Sequence, residues 1–253
     1  MKNVVFKLGQ LLALVTGLGA MGVAAEDAPP TPGVVDAYFC TYQPGKDRDD
    51  LLAARDNLVK VAARADFALN NAFVWHAFKG GAPVDFIWMS VHESLEAYGT
   101  ATQTIEDSAA LSAAVARFDT VAECRSNLGS ARVVREGKPL PDGEGALVSS
   151  NLCKAKGAVS SGDVNDLRGH INAVLDGSKS FEQVSVYSIV PMTGDANSPD
   201  VVLFSVHDSV AGWARRSTEL ASSAAGQSLR RHFDAMLECA SSLWHSEQVV
   251  SAQ

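Results

Sequence analysis

FIWMSVHES, residues 86–94, returns as VVLFSVHDS at residues 201–209. FDTVAECRSNL, residues 118–128, returns as FDAMLECASSL at residues 233–243. Both matches keep one offset, 115 residues. A fixed period of self-similarity marks a chain built from repeated structural units, so the repeat sets the architecture before any single residue is weighed.

Working outward, each copy gives the same order. In the first, Val35 to Tyr42 is strand-like. Asp47 to Asn70 reads as a helix with Leu51, Ala54, Leu58 and Val61 on one stripe. Asn71 to Phe78 and Phe86 to His92 are strands around a Gly/Pro loop. Ser94 caps a helix, a second helix spans about Ala109 to Ala122, and an extended segment closes the copy. In the second copy Val164, Leu167, Ile171 and Val174 repeat the first stripe at an offset of 113 residues. The order strand–helix–strand–strand–helix–strand is the split βαβ unit, with first and last strands as neighbours.

The N-terminus has its own signature. Lys2 and Lys7 precede an apolar stretch from Leu8 to Val23, and small residues end at Ala25 before Glu26. That is the pattern of a cleaved signal peptide over residues 1–25. Gly9, Gln10, Gly17 and Gly19 interrupt the stretch, and it is short for a membrane span of roughly 20 apolar residues. No later segment reads as a span. Residues 26–34 read as a disordered leader, and the Gly/Pro-rich residues 136–149 as a linker between copies at 35–135 and 150–253. The net charge of −8, two more negative once Lys2 and Lys7 leave, disfavours nucleic acid as a partner.

Four cysteines on an exported chain imply disulfides. Each copy holds one cysteine near its start and one near its end, so the repeat selects Cys40–Cys124 and Cys153–Cys239 among the three pairings. The expected location is the periplasm or the exterior of the cell. No spacing of His and Cys predicts a metal site, and no cofactor is predicted.

The chain resembles the dimeric α/β-barrel superfamily, in which two ferredoxin-like sheets pack into a barrel. The resemblance covers about residues 35–135 and 150–250. It rests on topology, on the His-acid-Ser ending of the third strand, and on the aromatic that follows, Tyr98 and Trp213. It implies an α+β fold with two tandem βαββαβ units packed sheet to sheet as a pseudo-dimeric barrel. The superfamily spans cofactor-free monooxygenases, isomerases and haem enzymes, so it implies fold more than function.

The third strands predict where a ligand sits. Ile87, Met89 and Val91 form an apolar set, and Phe86, Trp88, Ser90 and His92 a mixed one. The apolar set is expected under the helices and the mixed set toward an inter-sheet cavity. Trp75, His76, Trp88, Ser90 and Ser205 are the expected ligand-binding residues. His92 and His207 are the candidate acid–base groups, although the acid and Ser beside each are also ordinary helix-start residues. A His76–His92 metal pair is weighed against a solvated role for His76. His170 or His232 is the helix histidine that a haem would need. The leading expectation is an exported protein that binds a small, partly apolar molecule. The competing expectations are a small-molecule enzyme, cofactor-free or haem-dependent, and a structural or partner-binding periplasmic module. Oligomeric state stays open.

Overall fold

The computed structural model describes residues 33–80, 84–138, 146–194 and 198–251. The expected signal peptide, most of the expected leader, residues 81–83 and residues 139–145 of the expected linker lie outside the described residues. Among the described residues the first copy comprises β1 (Gly33–Tyr42), α1 (Arg48–Arg64), β2 (Asn71–Gly80), β3 (Phe86–His92), α2 (Leu95–Asp107), α3 (Ala109–Ala116) and β4 (Ala122–Arg135). The second comprises β5 (Ala146–Ala155), α4 (Ser161–Asp176), β6 (Ser185–Pro191), β7 (Val201–His207), α5 (Val210–Ser222), α6 (Ala224–Met236) and β8 (Leu237–Val250).

Local chemistry explains the helix starts. Asp47 with Asp50, and Ser160 with Asp163, form reciprocal capping boxes at α1 and α4. Ser94 and Ser209, the last residues of the repeated motif, each accept a backbone N–H at the start of α2 and α5. Three boundaries differ from the sequence reading. α1 ends at Arg64, short of the expected Asn70, where Ala65 caps it and Asp66 takes a positive φ. Beyond Arg117 the second helix tightens into a 3-10 turn, Phe118–Thr120, before β4. β5 begins at Ala146, inside the expected linker, because Leu147 and Val148 are both buried, one on each face of the sheet.

The strands close into a barrel in the order β1-β3-β2-β8-β5-β7-β6-β4, all neighbours antiparallel. Each copy supplies a four-stranded half in the ferredoxin-like order. The halves join at two seams, β2 with β8 and β4 with β6. First and last strands are neighbours as expected, but of these only β1 and β5 are interior to their halves; β4 and β8 are flanks, each pairing across a seam with β6 or β2.

The face assignment is the reverse of the expected one. Ile87 and Met89 point into the barrel, with Val35, Trp75, Val148 and Trp244. Phe86 and Trp88 face the helices, with Leu51 and Ala54 of α1. In the second copy Val202, Phe204 and Val206 point inward, while Leu203 packs with Leu167 and Ile171 of α4. The reason is solvent access. A closed barrel interior has no wet rim and rejects unpaired polar groups. In the helix layer Ser90 accepts from Trp88 and Ser205 pairs with His207. Trp244 carries the polar atom its ring brings inside, donating its indole N–H to Ser150 Oγ at 2.8 Å.

Cys40–Cys124 and Cys153–Cys239 are both paired, on directly opposed residues of β1/β4 and β5/β8, with Cα atoms 4.1 Å apart. Both lie on the helix side of the sheet. Among the described residues no helix is long and apolar enough to cross a membrane. The C40A/C124A double variant is expected to lose about 2–5 kcal/mol of stability in urea unfolding, since each bridge closes a long loop. Unchanged unfolding would count against that bridge as a staple of the fold.

Candidate functional site

A cavity of about 220 Å3 lies between the sheet and the helices of the C-terminal copy. Ile171 and Leu175 of α4, Leu203 of β7, and Leu229 and Phe233 of α6 make its apolar wall. Ser149, Asn151, Ser205, His207 and Arg216 make its polar wall. The barrel interior, where the sequence reading placed the ligand, retains only about 50 Å3, because Trp75, Phe204 and Trp244 fill it. That is room for a few waters, not for an organic ligand.

The repeat explains why the cavity sits in the second copy. Leu203 occupies the position of Trp88, and Phe233 that of Phe118. In the first copy the Trp88 ring meets Phe118 edge to face at 5.2 Å and fills the space under the helices. In the second copy the smaller Leu203 leaves that space open.

His207 is buried, 6% exposed, at the polar end. Its Nε2 lies 2.9 Å from Ser205 Oγ, and its Nδ1 has no hydrogen-bond partner. Burial, reinforced by the charge of Arg216, pushes its pKa down to about 4, so it is neutral at pH 7. His92 shares the burial and the unpartnered Nδ1, and burial lowers its pKa too. It packs against Tyr98, ring centroids 5.3 Å apart. The unpartnered nitrogen is therefore a property of the repeated strand end, and the cavity beside it is what distinguishes His207.

Arg216 of α5 is the other polar anchor, 2% exposed. Its Nη1 donates to Asp208 Oδ1 at 2.6 Å and its Nε to the Ser180 carbonyl at 2.6 Å. Burial works against the Asp208 carboxylate, but its bond to Arg216 and the nearby charge hold its pKa below the usual value. Gly212 makes the pair possible: a Cβ there would stand 2.4 Å from Asp208 Oδ1 and 2.8 Å from Arg216 Nη1. At the same three places the first copy has Glu93, Ala97 and Ala101. Asp208 is thus committed to Arg216, and Ser205, His207 and Asp208 do not form a relay.

The other expected residues scatter. Trp75 is barrel core. His76 stands at the seam, 3.3 Å from Glu247, which also binds Arg48. His76 pairs opposite Phe86 while His92 ends the same strand, six residues on, so they cannot share a metal. Trp88 donates its indole N–H to Ser90 Oγ at 3.2 Å within the first copy. Of the five expected ligand-binding residues, Ser205 alone lines the larger cavity. Sequence reasoning missed Ser149, Asn151 and Arg216. The available signal was divergence between copies: Asp36, Tyr38 and Ala101 hold the corresponding positions. Asp36 is itself buried, its pKa raised by that burial, and accepts the Tyr38 hydroxyl at 2.8 Å. The buried pocket-wall charge of one copy is a carboxyl, and of the other a guanidinium.

No protein-family model and no curated protein matches the chain. Solved structures do. A candidate monooxygenase from Lactobacillus acidophilus superposes with a TM-score of 0.55 at 10% identity, covering 88% of this chain and 97% of its own. A candidate chlorite dismutase gives 0.55 at 10% identity, with 87% and 96% covered. An anthrone oxidase-like protein gives 0.52 at 13%, with 91% and 99% covered. The fold is the dimeric α/β barrel. At these identities the likeness speaks to the fold of both copies, and the α/β barrel here is one continuous chain.

His207 gives this barrel a defined acid response. Its folded pKa of about 4 lies below the ordinary value, so the unfolded chain binds the proton first as pH falls. Stability is unaffected above pH ~6.5 and falls by roughly 3 kcal/mol by pH ~4 from this group. H207Q is expected to flatten that acid limb in urea unfolding; an unchanged slope would contradict the burial argument.

Proposed function

We propose that this is an exported protein that binds a small, partly apolar molecule in the helix–sheet pocket of its C-terminal copy. The observation that carries the proposal is the cavity of about 220 Å3, with an apolar wall on one side and His207, Arg216, Ser205, Ser149 and Asn151 on the other. Such a wall takes an aliphatic or aromatic body, and the Ser149 and Ser205 hydroxyls and the Asn151 amide take a hydrogen-bonding end. Arg216 is balanced by Asp208, so the pocket suits a polar but uncharged end. Two disulfides support export, as bridges persist in oxidising compartments. The solved neighbours, named as candidate small-molecule enzymes, support a pocket-based role over a purely structural one.

Catalysis by His207 is the weaker reading. A general base working near neutrality wants a pKa near the working pH, and His207 sits at about 4 with its Nδ1 unpartnered. The pocket does not suit a haem. His207 is engaged by Ser205, and a porphyrin needs more room than a space below the roughly 300 Å3 of ordinary ligand sites.

The test restores the first copy's filler. Protein purified from its own host is expected to release a small molecule on denaturation, detected by untargeted mass spectrometry. L203W is expected to fold, by circular dichroism, and to release none. The same molecule from both proteins, or a Soret band in the visible spectrum, would contradict the proposal.

A further inference from the structure

A second polar feature lies on the outer side of the same helices. His170 of α4 and His232 of α6 point their Nδ1 atoms at each other, 3.1 Å apart, with ring centroids 5.3 Å apart. They are 62 residues apart in sequence, so no motif spacing announces them. Both are partly exposed and stand outside the apolar pocket wall, next in sequence to its residues Ile171 and Phe233.

The first copy shows what the fold itself requires at this place. Asn57 and Arg117 are the corresponding residues, and Arg117 Nη1 donates to Asn57 Oδ1 at 3.1 Å. A polar clamp between the two helices is therefore common to both copies. What is particular to the second copy is the choice of two imidazoles, with their nitrogens turned toward one point.

We propose that His170 and His232 form a two-nitrogen chelate for a borderline divalent transition metal of the Zn2+, Ni2+ or Cu2+ class. Imidazole is the preferred neutral ligand for these ions. A metal–nitrogen bond of about 2.0–2.1 Å with a ligand angle between square and tetrahedral sets the two nitrogens about 2.9–3.4 Å apart. The observed 3.1 Å falls in that interval; one Nδ1 donates to the other in the free protein, and the metal takes the place of that bridging proton. Two carboxylates lie near, with Arg231 beside His232: Asp163, which caps α4 through Ser160, and Asp166, one turn before His170. Among the described residues no third His, Cys, Asp or Glu side chain completes the group, so water fills the remaining positions and the ion stays exchangeable.

The copy-to-copy substitution supplies the control. Tag-free protein, stripped with chelator, is titrated with ZnCl2 and separately with NiCl2 by calorimetry, with thermal unfolding alongside. Wild type is expected to bind one equivalent and to unfold at a higher temperature with metal. H170N/H232R, which installs the first copy's clamp, is expected to keep the metal-free unfolding temperature. It is expected to weaken binding by more than about tenfold. H170N alone is expected to lose the same affinity. Wild-type protein that binds neither ion, or a double variant that binds as wild type does, would overturn the proposal. Neither outcome bears on the pocket, which His170 and His232 do not line.

Discussion

Closure of the sheet into a barrel is the constraint on which the rest depends. Eight strands meeting at the β2–β8 and β4–β6 seams leave no free edge and a narrow interior. The interior is paved with Ile87, Met89, Val148, Phe204 and two tryptophans. A polar group on these strands is then paired inside, as Ser150 is with Trp244, or stands on the other face. Ser90, His92, Ser205 and His207 stand under the helices for that reason, and the chemistry of the molecule lies there and not between the sheets.

Duplication supplied two such helix–sheet layers, and the sequence spent them differently. The first was filled: Trp88 against Phe118, Tyr42 against Phe86, and Asp36 satisfied by Tyr38. The second was opened by Leu203 and furnished with Arg216, which needs both Asp208 and the bare backbone of Gly212. Removing one partner of a buried ion pair strands the other, so these three positions have reason to change together. The outer clamp follows the same logic, Asn57–Arg117 in one copy and His170–His232 in the other.

The fold was legible because its signals are local or repeated. The period gave two units, the helical stripe of Leu51, Ala54 and Leu58 gave α1, and the copies of Cys40 and Cys124 gave the pairing. The inside of the sheet was misread because alternation along Phe86–His92 separates two faces without naming them. An apolar set fits a helix layer or a barrel interior equally well; only closure decides. The pocket was partly legible. His207 and Ser205 stand in the repeated motif, but that motif draws attention to what the copies share. Arg216, Ser149 and Asn151 are found only by asking where the copies disagree, and the His170–His232 contact only by knowing that α4 packs on α6.

The central claim is that the working space lies under the helices of the C-terminal copy and not inside the barrel. Amide NMR of isotope-labelled protein titrated with a library of small aromatic and aliphatic fragments tests it directly. The account predicts shifts gathered at Leu203, Ser205, Leu229 and Phe233, with the first copy's Trp88 and Phe118 unmoved. Shifts gathered instead around Trp75, Phe204 and Trp244 would contradict it.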